Sequence, residues 1–502
     1  MPDYSIAQYY HERTKYDPET ISSKGKGLDW SKQPVPYKEY KIGRVYDLKP
    51  YLSKDAEIAP ESEDAEWLRL SLLLLASYGL TAQYETPYGE AVYLRAAPSA
   101  GGLYPAEVYL VASGNALLPA GLYNYQPANH TLVHFWQSNV WSQLQAACFD
   151  HALLTSVDLA LVTTAVYYRS AWRYEDRAYR RIFLDTGHLL GNIELAASIN
   201  SYQAFFVGGF NDNALNQLLY LDEAEEGATV VIPMLDLRCD RFPEELGEIA
   251  LASPTTKDYP ELPDGELLAS LHQASQITAK QLPLTSATKE DKYNFPFCDR
   301  ISTAIDSQVD WGESLAELES TILKRRSTRS FSGSSIDFTE LTALLHFAYQ
   351  PEPYLDQGLD NAPDYFASEL VQTFVAVSAV NGLDAGCYYY APYAQELRQV
   401  RFKNFRSQLH YLCLGQNLGR DAAAVIFQTA DLSSAVTAYG DRAYRYLHLD
   451  AGHLGQRLNL AAIRLGLGVS GIAGFFDNQV NEVLGIPEAE AVLYLTTIGR
   501  KK

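Results

Sequence analysis

The stretch DRAYRRIFLDTGHLLGNIELAASINSYQAFFVGGFNDNALNQLLYL, residues 176–221, occurs again in related form as DRAYRYLHLDAGHLGQRLNLAAIRLGLGVSGIAGFFDNQVNEVLGI, residues 441–486. The two copies are identical at 19 of 46 positions, without a gap, at a constant offset of 265 residues. The same offset aligns AGLYNY at 120–125 with AGCYYY at 385–390. Two copies with so long a period indicate two domains of one fold, joined as a covalent pseudodimer.

Each copy has the pattern of a domain that mixes strands and helices. Six apolar runs have the length and composition of strands, and residues 179–199 have those of a long helix. The strand-like runs are 107–113, 159–164, 230–237, 372–378, 423–429 and 492–498. We therefore expect the α+β class, with a sheet covered by helices.

Turn-forming residues and composition divide the chain further. We expect an N-terminal arm at 1–50, a first domain at 51–240, a linker at 241–318 that is rich in Pro and Asp, and a second domain at 319–502.

Shorter helices are predicted outside the long repeat. They lie at 5–15 in the arm, at 67–78, and at 266–280 within the linker. Thr339 is the predicted N-cap of a further helix.

Composition excludes several classes of function. The net charge of −21 disfavours nucleic-acid binding, which needs clustered cations on one face. The five cysteines show neither CxxC spacing nor an even count, so the sequence predicts no disulfide framework and no metal site. No apolar run is long enough for a membrane span, and the first residues are polar, so we expect a cytoplasmic protein without a membrane partner.

The strongest local signal for chemistry is the basic segment LKRRSTRSF, residues 323–331. Guanidinium groups bind phosphate through two parallel hydrogen bonds, and a hydroxyl or a helix-end N–H completes such a site. A solvated basic turn would have the same composition, so residue types alone leave both interpretations open.

Several motifs together resemble the nitroreductase superfamily of FMN enzymes. They are RRSTRSF, the PSAGG loop that precedes a strand, the helix with GH followed by GIAGFFD, and the closing TIGRKK. YYHERTKYDPETI, LDWSKQPVPYKEY and PSAGGLYPAEVYLVA resemble more narrowly the SagB-type or ThcOx-type dehydrogenases. That resemblance implies two nitroreductase-like domains fused as a pseudodimer, FMN as cofactor, and oxidation of thiazolines and oxazolines in ribosomal peptides.

The resemblance also implies a set of FMN-binding residues drawn from both halves. The second half is expected to supply phosphate and ring contacts from Arg325, Arg326, Ser327, Arg329 and Arg500, and the backbone near flavin N5 from Gly471, Ile472, Ala473 and Gly474. The first half is expected to supply a loop against the flavin, formed by Pro98, Ser99, Ala100 and Gly101.

The two halves have lost complementary parts of this set. The first half carries the acidic KDAEIAPESEDAE, residues 54–66, in the place of the basic segment. The loop of the second half reads APDYFAS, residues 362–368, where Asp364, Tyr365 and Phe366 replace Ser, Ala and Gly. We therefore expect a single FMN between the halves, at the one composite site that is intact.

The subfamily's oxidation chemistry is associated with a lysine–tyrosine pair before the repeat helix. Here the matching positions are Arg173 and Tyr174 in the first half, and Ala438 and Tyr439 in the second. The lysine is absent from both, which puts azoline oxidation itself in question. Tyr174 is the candidate for proton exchange and Arg173 for holding charge, because arginine is too basic to accept a proton near neutrality. Packing is the alternative role for Tyr174.

Two further pairs kept in both copies are expected to be structural. His188 and His453 lie on apolar helix faces, which is typical of buried, hydrogen-bonded histidines. The adjacent Asp and Arg at 176–177 and 441–442 are expected to be capping or inter-helix pairs.

Three functions remain open at this point. The first is azoline oxidation on a peptide, with dioxygen reoxidising the flavin and a cyclodehydratase as a candidate partner. The second is reduction of nitro compounds or flavins with NAD(P)H. The third is a catalytically silent scaffold for a peptide or partner, which retention of the basic segment disfavours. Further self-association of the pseudodimer is left open.

Overall fold

The computed structural model describes residues 4–24, 27–52, 62–85, 89, 91–239, 242–243, 245–284, 290–305 and 308–502. Most of the acidic segment 54–66, namely 54–61, and part of the predicted linker, 285–289, lie outside the described residues.

Two seven-stranded antiparallel sheets form the centres of the two halves. The first-half strands are β1 (Arg44–Asp47), β2 (Leu80–Glu85), β3 (Ala91–Arg95), β4 (Ala106–Ala112), β5 (Gly121–Gln126), β6 (Thr131–Trp136), β7 (Leu159–Val166), β8 (Tyr202–Ala204) and β9 (Glu226–Asp236). The second-half strands are β10 (Arg300–Ser302), β11 (Ile336–Asp337), β12 (Val371–Val377), β13 (Val380–Asn381), β14 (Gly386–Ala391), β15 (Glu396–Arg401), β16 (Ala424–Asp431), β17 (Gly468–Ile472) and β18 (Glu490–Gly499).

The helices cover these sheets. The first set is α1 (Ile6–Arg13), α2 (Ile21–Lys24), α3 (Lys49–Leu52), α4 (Glu63–Tyr78), α5 (Trp141–Ala147), α6 (Leu153–Ser156), α7 (Tyr167–Tyr174), α8 (Ala178–Ile199), α9 (Asp212–Leu218) and α10 (Leu267–Ala274). The second set is α11 (Ala316–Lys324), α12 (Phe338–Tyr349), α13 (Arg406–Leu412), α14 (Asn417–Asp421), α15 (Leu432–Tyr439), α16 (Ala443–Arg464) and α17 (Asp477–Leu484). The predicted α+β class is confirmed.

The order of strands shows the duplication directly. The first sheet runs β1-β6-β5-β4-β7-β9-β8 and the second runs β10-β15-β14-β12-β16-β18-β17, so each position in one sheet has a counterpart in the other. The edge strand β1 lies within the predicted arm, and its counterpart β10 lies within the predicted linker. The repeated unit therefore extends further upstream than the aligned sequence motifs indicate.

The long helices α8 and α16 cross at the centre of the molecule. Side chains on every face of both helices are buried, and the buried residues include charged and polar side chains as well as apolar ones. A Cβ atom on Gly187 would lie 2.1 Å from the Leu449 carbonyl oxygen, and one on Gly452 would lie 2.3 Å from the Leu184 carbonyl oxygen. The glycines therefore allow backbone-to-backbone contact at the crossing.

Two matching ion-pair groups join the halves beside this crossing. Arg177 and Arg180 contact the Asp477 carboxylate at 2.9 and 2.7 Å. At the counterpart position Arg442 and Arg445 both contact Asp212 at 2.8 Å. All of these side chains are buried, so removing one partner would leave an uncompensated charge.

The aspartates at 176 and 441 tie the arm and the linker to the helices. Asp441 accepts the backbone N–H groups of Ala7 at 3.1 Å and Thr256 at 2.7 Å. Asp176 accepts those of Gly265 and Leu268, at 2.6 and 3.0 Å, beside the start of α10. Both aspartates thus have structural roles.

The predicted helices of the arm, of the first domain and of the linker are present as α1, α4 and α10. The predicted cap of α12 is wrong. The helix begins at Phe338, and the Asp337 backbone N–H donates to Glu340 Oε2 at 2.8 Å in a capping box, which makes Asp337 the N-cap. Thr339 lies within the first turn.

No helix of the described residues is long and apolar enough to cross a membrane. The same part of the chain contains no group of three His, Cys, Asp or Glu side chains that could hold a metal ion.

The close contact at the helix crossing leads to a first prediction about stability. Gly452→Ala will lower the free energy of unfolding by about 3 kcal/mol, because backbone on both helices must move to admit the methyl group. Denaturant titration measures this change. Gly27→Ala is the control, since a Cβ there meets no atom within 4 Å. Equal stability of the two variants would contradict a tight crossing.

Candidate functional site

Arg325 of the second half reaches into the first half. It is the residue after α11, and its Nε donates to the Ala96 carbonyl oxygen at 2.6 Å and its Nη2 to that of Arg95 at 3.2 Å. The side chain is only 3% exposed, and its Nη1 has no hydrogen-bond partner among the described residues. Burial lowers the pKa of Arg325 to about 10, so the group is still charged at neutral pH.

The other predicted phosphate ligands differ in how firmly they are held. Arg326 donates to the Thr81 carbonyl oxygen at 2.6 Å, and Arg500 pairs with Glu340 at 2.8 Å. Arg329 is exposed and forms no ion pair within the described ranges. Ser327 lies between Arg326 and Arg329 in the sequence, and it is half-buried. Among the described residues, Arg325 Nη1 and the Arg329 side chain thus have donors free for an anion.

The loop at 98–101 lies directly after the carbonyl groups that hold Arg325. Its conformation is fixed by Asp185 of α8, which accepts a hydrogen bond from Ser99 Oγ at 2.6 Å and from the Ala100 N–H at 3.1 Å. Burial raises the pKa of Asp185 to about 7, and the hydrogen bonds from Ser99 and Ala100 oppose that rise. Pro98 is half-buried at the start of the loop.

Gly101 brings this loop against the predicted catalytic pair. Its φ is 67°, and a Cβ there would lie 2.9 Å from Tyr174 Oη and 3.4 Å from Arg173 Cδ. Glycine is thus favoured by both conformation and space. Arg173 is exposed and Tyr174 is half-buried at the end of α7.

The Arg181 guanidinium lies 3.9 Å from the ring centre of Tyr174. Burial raises the pKa of the Tyr174 hydroxyl, and the charges of Arg181 and Arg173 partly counteract this. Tyr174 is therefore protonated at neutral pH and can donate a hydrogen bond or a proton.

The predicted N5 segment forms the facing wall. Gly471 is exposed at the end of β17, and a Cβ there would lie 1.6 Å from Tyr494 Oη. The Tyr494 hydroxyl is 2.9 Å from His188 Nε2, and His188 Nδ1 is 2.9 Å from Gln456 Oε1. Burial lowers the pKa of His188 to about 4, so this histidine is neutral. Its hydrogen bond to the Tyr494 hydroxyl holds that side chain beside Gly471.

The segment then turns back towards the catalytic pair. A Cβ on Gly474 would lie 3.8 Å from Arg181 Nη2 and 4.0 Å from the ring of Tyr16 in the arm. Ile472 is buried and Ala473 is half-buried between the two glycines. Contacts thus link Arg325, the loop 98–101, the pair 173–174 and the segment 471–474 where the two halves meet, and we call this region the open cleft.

Sequence reasoning missed three residues of this cleft: Arg181, Tyr494 and Tyr16. One signal was available for Arg181, because the repeat has Tyr446 at the matching position, and a change from charge to aromatic ring marks a functional difference between the halves. Tyr494 lies in an apolar strand, and its contact depends on the fold.

The counterpart cleft is filled by protein. Asp364 Oδ2 accepts the backbone N–H of Phe206 at 2.8 Å, and Phe206 is the counterpart of Gly471. The Tyr365 ring stacks on His453 at 4.5 Å, and the Phe366 ring stacks on Tyr446 at 5.2 Å. Three side chains of the second half thus contact protein groups at the positions where the first half has Ser99, Ala100 and Gly101.

His453 has the structural role that the sequence predicts. Its Nε2 lies 3.4 Å from Glu194, which also pairs with Arg457 at 2.9 Å. Asp450 accepts the N–H groups of Phe366 and Ala367 at 3.0 and 2.6 Å, much as Asp185 accepts those of the intact loop.

The open cleft fits a flavin mononucleotide in its donor set. An unpaired donor on buried Arg325 and the free Arg329 side chain suit a phosphate dianion. Exposed glycines such as Gly101 and Gly471 would let backbone approach a planar ring.

Comparison with known families identifies the class of the protein as an oxidoreductase family. The nitroreductase family matches residues 70–234 and 322–500, one match in each half. Because these matches cover most of the chain, it belongs to the nitroreductase family, and the predicted resemblance to that superfamily is confirmed.

Individual relatives agree with this assignment. The crystal structure of "a putative nitroreductase" from Anabaena variabilis ATCC 29413 superposes with a TM-score of 0.94 and 62% identity, covering 99% of this chain and 100% of that one. "Putative nitroreductase MJ1384" of Methanocaldococcus jannaschii is 31% identical over 37% of this chain and 91% of its own length.

Two peptide-processing proteins also match. The Microcin B17-processing protein McbC of Escherichia coli is 25% identical over 29% of this chain, and the match spans 55% of McbC. The Trifolitoxin-processing protein TfxB of Rhizobium leguminosarum bv. trifolii is 29% identical over 28% of this chain, and the match spans 39% of TfxB. These similarities support the narrower resemblance to the SagB type.

Asp364 in the filled cleft leads to a prediction about how the free energy of unfolding depends on pH. Burial raises the pKa of Asp364 from its usual 3.8 to about 7. The folded protein then binds a proton that the unfolded chain has released between pH 4 and 7, so the free energy of unfolding falls as pH rises through that window. Asp364→Asn removes this contribution, which amounts to at most roughly 4 kcal/mol.

Denaturant titrations at pH 4.5 and pH 8 measure this difference. The fall in unfolding free energy between these pH values will be smaller in Asp364→Asn than in the wild type. Asp356→Asn, at an exposed aspartate, is the control and will keep the wild-type fall. If the fall in unfolding free energy is unchanged in Asp364→Asn, the Asp364 carboxyl does not titrate between pH 4.5 and pH 8 in the folded protein.

Proposed function

We propose that the protein is an FMN-dependent oxidoreductase with one flavin per chain, held in the cleft between its halves. One observation carries the proposal: the second half buries Arg325 against residues 95–96, just before the loop of the first half, and its Nη1 has no partner among the described residues. The counterpart cleft is filled by Asp364, Tyr365 and Phe366. This asymmetry supports a single site.

In this proposal the chain's own residues divide the work of binding. Arg325 and Arg329 hold the phosphate, and Ser327 adds a hydroxyl donor. The backbone at 471–474 faces the ring near N5, and the loop 98–101 covers the ring from the other half. Asp185 sets the loop's conformation through Ser99 and Ala100. Bound FMN would supply two-electron hydride chemistry.

Two predicted ligands have weaker support. Arg326 and Arg500 are already engaged by Thr81 and Glu340. We propose that they hold the basic segment and the C-terminal strand in position beside the phosphate, and that direct contact with the cofactor requires these interactions to change.

Tyr174 is the proposed proton donor or acceptor for the substrate. Its hydroxyl lies at the loop residue Gly101, and the neighbouring Arg173 and Arg181 stabilise negative charge on it. Arg173 cannot accept a proton near neutrality, so its proposed role is to hold charge at the mouth of the cleft.

The proposed substrate class is a peptide that carries thiazoline or oxazoline rings, with a cyclodehydratase as the proposed partner. The similarity to McbC and TfxB, whose names state peptide processing, supports this class. The arm residues around Tyr16 lie at the edge of the cleft, where a peptide would pass.

A second candidate is NAD(P)H-dependent reduction of nitro compounds or flavins. Arg173 stands where the azoline-oxidising enzymes have lysine, and this departure favours the second candidate. The two reactions are separated by adding NADPH or an azoline peptide to the oxidised protein and recording which one bleaches the flavin.

Flavin content tests the single site. We expect close to one FMN per chain in the purified protein, and Arg325→Met will weaken FMN binding by at least about tenfold, because a charge-assisted bond is lost. Absorbance of released flavin measures both. Arg420→Met, at an exposed arginine paired with Asp421, is the control for loss of charge. Two FMN per chain would contradict the filled cleft, and no FMN would favour a silent scaffold.

Tyr174→Phe tests the proposed proton transfer. The variant will retain FMN, and the rate of flavin reduction by substrate will fall by about tenfold or more, since general acid–base catalysis contributes at least that much. Stopped-flow absorbance measures the rate. Tyr439→Phe, the counterpart in the filled cleft, will react as the wild type does. Wild-type rates in both variants would assign Tyr174 to packing.

A further inference from the structure

Most deeply buried arginines in the described part of the chain have a carboxylate partner. Six of the nine arginines that are no more than 4% exposed form an ion pair with Asp or Glu. The exceptions are Arg95, Arg181 and Arg325. An unpaired charge in a protein interior costs several kcal/mol, so each exception requires a physical reason.

Two of the exceptions already have one. Arg95 lies among the rings of Tyr37, Tyr78 and Tyr104, with its guanidinium carbon 4.2 Å from the centre of Tyr78. Arg325 is the proposed phosphate ligand. Arg181 shares part of the first reason, since its guanidinium carbon lies 3.9 Å from the centre of the Tyr174 ring, but it contacts this one ring where Arg95 contacts three.

Arg181 forms no ion pair among the described residues, although the Asp185 carboxyl, one turn along α8, interacts electrostatically with its charge. It is 4% exposed, its one hydrogen bond to a described residue is a long contact of 3.5 Å from Nη1 to the Arg177 carbonyl oxygen, and it stacks on the Tyr174 ring. Its Nη2 lies on the side of Gly474. Nη2 therefore lies beside the segment 471–474 and has no hydrogen-bond acceptor among the described residues.

The filled cleft provides an internal comparison. Tyr446 occupies the position that matches Arg181, and its hydroxyl donates to the carbonyl oxygens of Gly208 and Leu251 at 3.1 and 2.9 Å. In the half that has lost its cleft, this position thus has a neutral side chain whose hydroxyl is hydrogen-bonded within the protein. The open cleft has a cation in the same place.

We infer that Arg181 forms, with Tyr174, a subsite for a carboxylate of the substrate. The inference rests on the proposed function and names its substrate class as carboxylate-bearing. A carboxylate there would accept from Nη2 of Arg181 and from the Tyr174 hydroxyl, so the subsite would place an anionic group beside the proposed proton donor. The carboxylate has two sources, a free acid or the C-terminus of a peptide.

Binding of matched acids and amides tests the subsite. Benzoate and benzamide serve for a free acid, and N-benzoylglycine and N-benzoylglycinamide for a peptide end. Each is titrated into the FMN-loaded protein, and perturbation of the flavin absorbance gives the dissociation constant. We expect at least one acid to bind more tightly than its amide, and the acid that does so identifies the source.

Substitution at Arg181 then assigns the preference to that side chain. Arg181→Met will weaken binding of the preferred acid by at least tenfold and leave its amide unchanged, while Arg181→Lys will restore part of the affinity. Arg181→Tyr, the residue type of the counterpart position, repeats the test if the Met variant folds poorly. Arg420→Met is the control for surface charge and will bind as the wild type does.

The outcomes separate this inference from the proposed function. Equal binding of acids and amides, or equal weakening of both in Arg181→Met, would overturn the subsite while a flavin-loaded protein upholds the proposed function. A protein that takes up no FMN would contradict the proposed function instead. Isothermal titration calorimetry with the same four compounds would then still decide whether Arg181 binds carboxylates.

Discussion

Contact between the backbones of α8 and α16 at Gly187 and Gly452 is the constraint on which the rest of the structure depends. The crossing fixes the distance between the two sheets, and both clefts open at its sides, since α8 carries Asp185 and Arg181 and α16 carries Asp450 and Tyr446. Side chains at the crossing would separate the helices and with them the walls of the clefts. The buried pairs of Asp212 and Asp477 with arginines of the opposite half then fix the rotation of one half against the other.

The two clefts show how duplicated sites diverge under one physical rule. Each cleft has a buried aspartate that accepts backbone N–H groups from the facing loop, so the scaffold is the same. In one cleft the loop ends in glycine and leaves space beside unpaired cations. In the other, a carboxylate and two aromatic rings satisfy the exposed backbone and fill the volume. A cleft without ligand is more stable when protein atoms occupy it.

The sequence predicted those features that repeat or that depend on residue type alone. The offset of 265 residues gave the two domains, and the apolar runs gave most central strands and helices because each is periodic over its whole length. The loop at 98–101, the basic segment and the pair at 173–174 were recognised as motifs, and the fold brings them together.

Features that depend on contacts between residues far apart in the chain could not be predicted from the sequence. Arg325 binds carbonyl groups about 230 positions away in the chain, and Tyr494 reaches Gly471 from a neighbouring strand. The edge strand β10 has little apolar pattern, since one short pairing with β15 defines it. The cap of α12 depends on a reciprocal pair, Asp337 with Glu340, which a search for a single capping residue passes over.

The burial of α8 on all its faces has a consequence for biosynthesis. Its partner α16 is translated more than two hundred residues later, so a nascent chain holds a long apolar helix without its cover until the second half emerges. The N-terminal arm also cannot pack before the second half is made, because Ala7 is hydrogen-bonded to Asp441 and Tyr16 to Asp477. The first half thus cannot complete its packing before α16 has been synthesised, and the uncovered helix favours association with chaperones or with neighbouring chains during that interval.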